Sequence, residues 1–176
     1  MKNTKSMIST IYQTLHAVDS EELEGIYKKW ASNYDHDVVE LAGYVGHLIT
    51  SSLLLSTIKN KKAKILDAGC GTGLVGEILS ENNYKNLEGV DFSQKMLDVA
   101  IQKQVYQSLR LLDLTKNLDY EDNLFDSIIC AGTFTCGHVG PKVLLEMVRI
   151  TKKGRYICFT VRKQEWEASP YKEIIN

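Results

Sequence analysis

The sequence predicts an α/β fold, a mostly parallel sheet flanked by helices, on three observations. From residue 63 onward, short apolar runs alternate with segments of helical period over short connections, the pattern of a parallel sheet covered on both faces. A glycine-rich turn, Gly69-Cys70-Gly71-Thr72-Gly73, follows the first run directly. The second and third runs end in carboxylates, Asp91 and Asp113, at the strand ends where open α/β sheets bind ligands.

Taken in order, residues 1–20 are polar and expected to be frayed or weakly helical. A helix is predicted from Ser20 to Tyr34. Ser20 serves as its cap, Glu21, Glu22 and Glu24 stand at its positive end, and Leu23, Ile26, Tyr27 and Trp30 recur at helical spacing. Asp35 to Lys59 reads as one or two further helices with an apolar stripe of Val38, Leu41, Ala42, Val45, Leu48, Ile49 and Leu53. The first strand is Ala63 to Asp67, and the helix after the glycine turn runs from Leu74 to Asn82. Leu87 to Val90 is the second strand, followed by a helix capped by Ser93 and ending near Lys103. Leu109 to Leu112 and Phe125 to Cys130 are strands three and four. Pro141, suited to a first helical turn, opens a helix to Thr151, and Arg155 to Val161 is strand five. Residues 1–60 form an N-terminal helical lid or cap, and residues 61–176 the ligand-binding α/β part of a single domain.

Composition narrows the function. The hydrophobic fraction of 44% and charged fraction of 24% belong to an ordinary globular chain. The formal net charge of −1 gives no strong nucleic-acid signal, although a local basic patch is compatible with it. The N-terminus lacks the apolar core of a signal peptide. The stretch Leu48 to Ile58 is too short and too polar to span a bilayer, which takes about 20 apolar residues. Cys70, Cys130, Cys136 and Cys158 form no Cys-x-x-Cys pair, so neither structural zinc nor a disulfide framework is expected. A reducing compartment follows, the cytoplasm or the nucleus.

The chemistry concentrates in Ile65-Leu66-Asp67-Ala68-Gly69-Cys70-Gly71-Thr72-Gly73-Leu74. Glycine admits positive φ and lets a ligand touch the backbone; the helix that follows begins with unpaired N–H groups. This segment resembles motif I of the class I methyltransferases that use S-adenosylmethionine (SAM). The resemblance looks closest to the methyltransferase-like 27 proteins of the Williams–Beuren region. It is carried further by Tyr34-Asp35-x-Asp37-Val38, by Gly89-Val90-Asp91-Phe92-Ser93-x-x-Met96-Leu97, by Thr151-Lys152-Lys153-Gly154 and by Pro170-Tyr171-Lys172-Glu173.

The resemblance implies a Rossmann-like fold and assigns roles by position. Gly69, Gly71 and Gly73, with Cys70 between them, would wrap the methionine portion of SAM, and Asp67 would orient that end. Asp91 would accept hydrogen bonds from both ribose hydroxyls, a task suited to an acceptor-only carboxylate. Phe92 and Met96 would line the adenine, with Asp113 and the Leu114 backbone at its amino group. Cys130, Ala131 and Gly132 would lie under the sulfonium. Tyr27, Trp30 and Tyr34 would form a lid near the SAM carboxylate and the acceptor; the product would be S-adenosylhomocysteine.

Other readings stand beside these. Gly71-x-Gly73-x-x-Gly76, with Asp91 20 residues on, also matches the dinucleotide fingerprint and so an NAD-dependent oxidoreductase. Its register argues against that, because Gly69-Cys70 intervene before the first glycine. Trp30 and Tyr34 at i, i+4 are equally consistent with core packing. No catalytic base is assigned, and His138 and Cys136 after strand four are weak candidates. Cys130-Ala131-Gly132-Thr133 lacks the Asn-Pro-Pro-Tyr type segment that positions an amino nitrogen in some relatives. No metal cluster is evident, so metal assistance is not expected. These features favour a small-molecule methyl acceptor, with a protein acceptor as the alternative. The sheet implied by the resemblance has seven strands, and the sequence encodes no counterpart of the last two. Strand five is therefore expected to present an open apolar edge, Tyr156 to Phe159, available for strand pairing or a homodimer. A SAM-binding module without turnover is the alternative that this shortness raises.

Overall fold

The computed structural model of the chain describes residues 2–135 and 139–175. Five strands are present among them: β1 (Ile65–Ala68), β2 (Leu87–Asp91), β3 (Ser108–Leu111), β4 (Phe125–Phe134) and β5 (Thr151–Val161). They form one sheet in the order β3-β2-β1-β4-β5, with every neighbouring pair parallel. The α/β fold read from the sequence is the fold observed. β1 lies at the centre, with Ile65 opposite Leu87 on one side and Ser127 on the other.

Apolar neighbours in a strand serve opposite faces, because side chains alternate across the sheet. Leu66 and Ile128 join one core with Val90, Met147 and Ile150. Ile65 and Ile129 join the other with Leu54, Val75 and Leu79. The helices α4 (Leu74–Glu81), α5 (Gln94–Ala100) and α6 (Val143–Ile150) follow β1, β2 and β4, and α4 and α6 supply much of this packing.

The N-terminal region departs from expectation in three ways. Residues 2–16 form a full helix, α1 (Lys2–His16), anchored through buried Met7, where a frayed segment was expected. The helix α2 (Ser20–Trp30) is capped by Asp19, not Ser20. Asp19 accepts from the Glu22 N–H at 2.9 Å, while Glu22 accepts from the Val18 N–H at 2.8 Å, so a carboxylate reaches backward as well as forward. The third departure concerns the predicted apolar stripe. A π-helical turn over His36–Leu41 and a left-handed Gly43 (φ +67°) reset the register before α3 (Gly46–Thr57) begins. The buried face of α3 is then His47, Thr50, Ser51 and Leu54, whereas Leu48, Ile49 and Leu53 are 47–60% exposed. Thr50 suits that buried face because its hydroxyl is satisfied on the Gly46 carbonyl at 2.6 Å.

Two strands run longer than predicted. β4 continues past Cys130 to Phe134 through a register break around Gly132 (φ +76°). β5 starts at Thr151, with Gly154 (φ +72°) absorbing a bulge between the pairs Phe125–Thr151 and Ser127–Tyr156. Among the described residues no strand pairs with the outer edge of β5. The expected apolar edge is partly covered. Cys158 is buried and Phe159 packs on Phe134 with ring centroids 5.5 Å apart, while Tyr156 stays 47% exposed. The short helices α7 (Lys163–Ala168) and α8 (Tyr171–Ile175) fold back so that Tyr171, fully buried, meets Phe134 and Trp166. No helix among the described residues is long and apolar enough to cross a membrane.

Candidate functional site

β1 delivers the chain into a turn in which Gly69, Gly71 and Gly73 all take positive φ, at +75°, +53° and +93°. Gly69 is required twice over: a side chain there would overlap the Thr133 hydroxyl at the exit of β4. The Gly69 and Cys70 N–H groups both donate to the Val90 carbonyl, at 2.8 and 2.9 Å, which ties the turn to the end of β2. Asp91 completes that tie. Its Oδ2 accepts from the Gly71 N–H at 2.8 Å and its Oδ1 from the Ser93 N–H at 2.9 Å. A carboxylate has about four acceptor sites, so acceptor capacity remains for a further donor. Burial pushes the Asp91 carboxyl up to about 6, against the pull of its backbone N–H partners.

Asp67 has a different setting. It is 2% exposed, its Oδ2 accepts from the Tyr106 hydroxyl at 2.6 Å, and its Oδ1 has no partner. Burial raises its carboxyl to about 7, with the Tyr106 bond opposing and the Asp91 charge adding. Tyr106 was not singled out from the sequence. Its signal lay in two glycines, since a side chain at Gly76 would overlap the Tyr106 ring and one at Gly89 would come within 3.2 Å of it. The third glycine of the apparent dinucleotide fingerprint is thus accounted for by a tyrosine inside the protein.

The N-terminal region covers this turn with aromatic rings. Tyr27 meets Phe92 edge-on at 5.9 Å and Tyr34 at 6.2 Å, and Trp30 meets Tyr34 at 4.8 Å. Trp30 donates through Nε1 to Asp37 at 2.8 Å. Burial holds the Tyr34 phenol well above its ordinary range and therefore neutral. Asp35 fastens the cover to the turn. It accepts from the Thr72 hydroxyl and pairs with Lys103 at 2.7 Å, and Lys103 also reaches Glu77 at 2.5 Å.

Between sheet and cover lies a cavity of about 350 Å³. Of the residues picked out in the sequence, Tyr27, Tyr34, Gly69, Gly71, Asp91, Phe92, Met96, Asp113, Leu114, Ala131 and Gly132 line it. Trp30, Asp67, Cys70, Gly73 and Cys130 do not line it: Trp30 backs Tyr34, Asp67 backs the turn, and Cys130 sits in the core with its thiol pushed up to about 12 by burial. Asp113 uses one oxygen to cap its own turn, accepting from Thr115 N–H and hydroxyl at 2.8 and 2.6 Å. Thr14 and Ser20 from the N-terminal helices and Thr133 and Thr135 from the β4 exit also line the cavity, unanticipated. The long β4 carries the last two there. Cys136 and His138 lie outside the described residues. Among the described residues no group of three or more His, Cys, Asp or Glu could hold a metal ion.

The family model for the methyltransferase domain matches residues 66–159. The chain is 33% identical over 153 residues to human methyltransferase-like protein 27, covering 85% of this chain and 61% of that protein. It is 34% identical over 76 residues to the bovine 18S rRNA (guanine-N(7))-methyltransferase, covering 43% of this chain and 27% of the relative. The chain therefore spans less than two thirds of the length of either relative. Among solved structures, a TehB-like SAM-dependent methyltransferase from Corynebacterium glutamicum superposes with a TM-score of 0.64 at 24% identity, over 82% of this chain and 79% of that one, a likeness of fold.

Proposed function

The chain belongs to the methyltransferase-domain family, and on that premise we propose that it binds SAM in the cavity between sheet and N-terminal cover and transfers the methyl group to a small-molecule acceptor. The observation that carries this reading is the Asp91 carboxylate, fixed by two backbone N–H groups and facing the cavity with acceptor capacity to spare. That is the chemistry required to hold two vicinal ribose hydroxyls. The glycine turn beside it presents backbone without side chains. The cavity of about 350 Å³ falls within the roughly 300–1,000 Å³ of small-molecule sites.

In this reading Phe92 and Met96 flank the adenine, and Asp113 with the Leu114 backbone stands at its amino group. Gly69 and Gly71 accommodate the methionine portion, Asp67 stiffens the turn from behind, and residues 1–60 act as the lid. Bound SAM supplies a methyl group already activated by its sulfonium. The chain's own contribution is alignment and exclusion of water by Tyr27, Tyr34 and the helices behind them. A small acceptor is supported by the roofed, single-molecule scale of the cavity. The rRNA named for the bovine relative defines the competing acceptor class.

Calorimetry with SAM, S-adenosylhomocysteine and NAD tests the cofactor: the first two are expected to bind and NAD is not. Failure of the folded chain to bind either adenosyl compound would overturn the proposal. Labelled SAM offered with a metabolite extract and, separately, with ribosomal RNA tests the acceptor, with label expected in the small-molecule fraction.

A further inference from the structure

The cavity lies at the strand exits. The opposite end of the sheet, where the strands begin, carries a different surface. Residues 59–64, which lead into β1, hold four lysines, and residues 152–155, at the start of β5, hold two lysines and an arginine, with no acid in either segment. The formal net charge of −1 thus conceals a local concentration of positive charge. Neighbouring strands are all parallel, so the segments that enter β1 and β5 stand at one end of the fold. β4 lies between them and joins them at its start: Asp126 accepts from the Lys64 N–H at 2.9 Å and pairs with Lys152 at 3.0 Å. The two segments also share a recess of about 270 Å³, to which Lys59, Asn60, Asp126 and Arg155 contribute.

Pairing divides these cations into two groups. Lys64 is taken by Glu88 at 3.8 Å and Lys152 by Asp126. Lys61 donates to the Asn82 carbonyl at 3.0 Å, and Lys85, at the entry to β2, donates to Ser80 at 2.7 and 2.9 Å. Lys59, Lys62, Lys153 and Arg155 are exposed, and among the described residues none of their side chains has an ion-pair or hydrogen-bond partner. Acids stand at this end too. Asp119 and Asp122, in the segment that packs on the other core through Tyr120, face Arg110 and Arg149 at 3.8 and 2.8 Å. Glu81 and Glu121 have no such partner, and the four free cations outnumber them.

The free cations form a row. Strands about 4.8 Å apart set the entries of β2, β1, β4 and β5 across roughly 14 Å. Lys62 lies toward β2, its carbonyl accepting from the Asn86 side chain at 3.5 Å, and Lys153 and Arg155 lie on β5 at the sheet edge. A row of charges matches a linear polyanion better than a single anion. Tyr156, next to Arg155 and 47% exposed, offers a ring on which a base can stack. We propose that this row binds the phosphate backbone of single-stranded RNA, the nucleic acid that commonly presents unpaired strands. RNA held here is an anchor and not the methyl acceptor, because the row and the cavity sit at opposite ends of the strands. The proposal is therefore independent of the cofactor.

The test is fluorescence anisotropy of a labelled oligouridine of about 20 nucleotides, titrated with the full chain over a range of salt. Each neutralised phosphate of a single strand adds about −0.7 to the slope of log K against log salt, so four cations predict a slope of about −3. The double variant Lys59→Gln/Arg155→Gln changes only exposed positions. It is expected to bind about 10- to 100-fold more weakly at about 50 mM salt, with the slope reduced to about −1.5. No binding by the unsubstituted chain at about 50 mM salt, or an affinity and slope that the double variant leaves unchanged, overturns the proposal. Tighter binding to phosphatidylserine vesicles than to the oligouridine also overturns it, and would assign the row to a membrane surface.

Discussion

The glycine turn between β1 and β2 and the N-terminal cover meet at the same cavity but are held by different means. The turn is fixed by backbone: positive φ at three glycines, two N–H groups on one carbonyl, and a carboxylate clasped by two more. The cover is fixed by side chains: edge-to-face aromatic rings, the Trp30–Asp37 bond and the Asp35–Lys103–Glu77 pairs. Backbone contacts close only when the sheet has formed, so the turn is as rigid as the core. Side-chain contacts can break singly, so the cover can open while the sheet stays intact. On the proposed reading, the groups that grip the ligand belong to the rigid part and those that exclude water to the releasable part.

Gly69→Ala strikes the turn at its base. The new Cβ meets both a left-handed backbone and the Thr133 hydroxyl, and a loss of about 3 kcal/mol in unfolding free energy is expected. Urea unfolding measures it, and a loss below about 1 kcal/mol would show the turn to be softer than its bonding implies. Asp91→Ala leaves the fold in place and removes the grip. SAM affinity is expected to fall by roughly 1.5–3 kcal/mol by calorimetry, whereas an unchanged affinity would remove the ribose role from Asp91.

The two carboxylates also give this region a pH signature. Asp91 and Asp67 have native values of about 6 and about 7, above their unfolded values near 4. Between about pH 4 and pH 7 the native state therefore binds more protons than the unfolded chain, so stability is greatest at the acid end and is lost as pH rises. His47, held low by burial, works in the opposite sense near its unfolded value. A net decline is expected across the window, read from unfolding curves between pH 4.5 and 8. Asp67→Asn should flatten it. A ligand donating to Asp91 favours the ionised form, so SAM affinity should weaken below about pH 6.

The same division explains what the sequence disclosed. The succession of strands along the chain, the glycine turn and the placing of Asp91 at a strand end were legible because each rests on local rules: apolar runs, glycines that admit positive φ, a carboxylate closing an apolar run. Tyr106 was hidden because its partners Asp67, Gly76 and Gly89 are distant in sequence and converge only in the folded sheet. The buried face of α3 was misread because a π-helical turn and Gly43 shift the helical phase just before it. A periodicity carried across that break points the wrong side outward. Asp19 was passed over for Ser20 although Asp19-x-x-Glu22 carries both halves of the reciprocal cap.

Asp35→Ala produces the smallest effect on stability and the clearest separation of the two regions. Asp35 is partly exposed, and after its loss Lys103 keeps Glu77 as a partner, so unfolding free energy should fall by only about 0.5–1 kcal/mol. The Thr72 hydroxyl and Lys103 nevertheless lose their common link to the cover. Since Asp91 and its backbone N–H partners are untouched, the intrinsic grip on SAM is expected to persist while the enclosed state becomes less populated. Stopped-flow measurement should show faster SAM dissociation with association little changed, and the Trp30 environment should become more exposed in the absence of ligand. If dissociation is unaltered, the cover is held by its aromatic packing alone and the Asp35 link is incidental to closure.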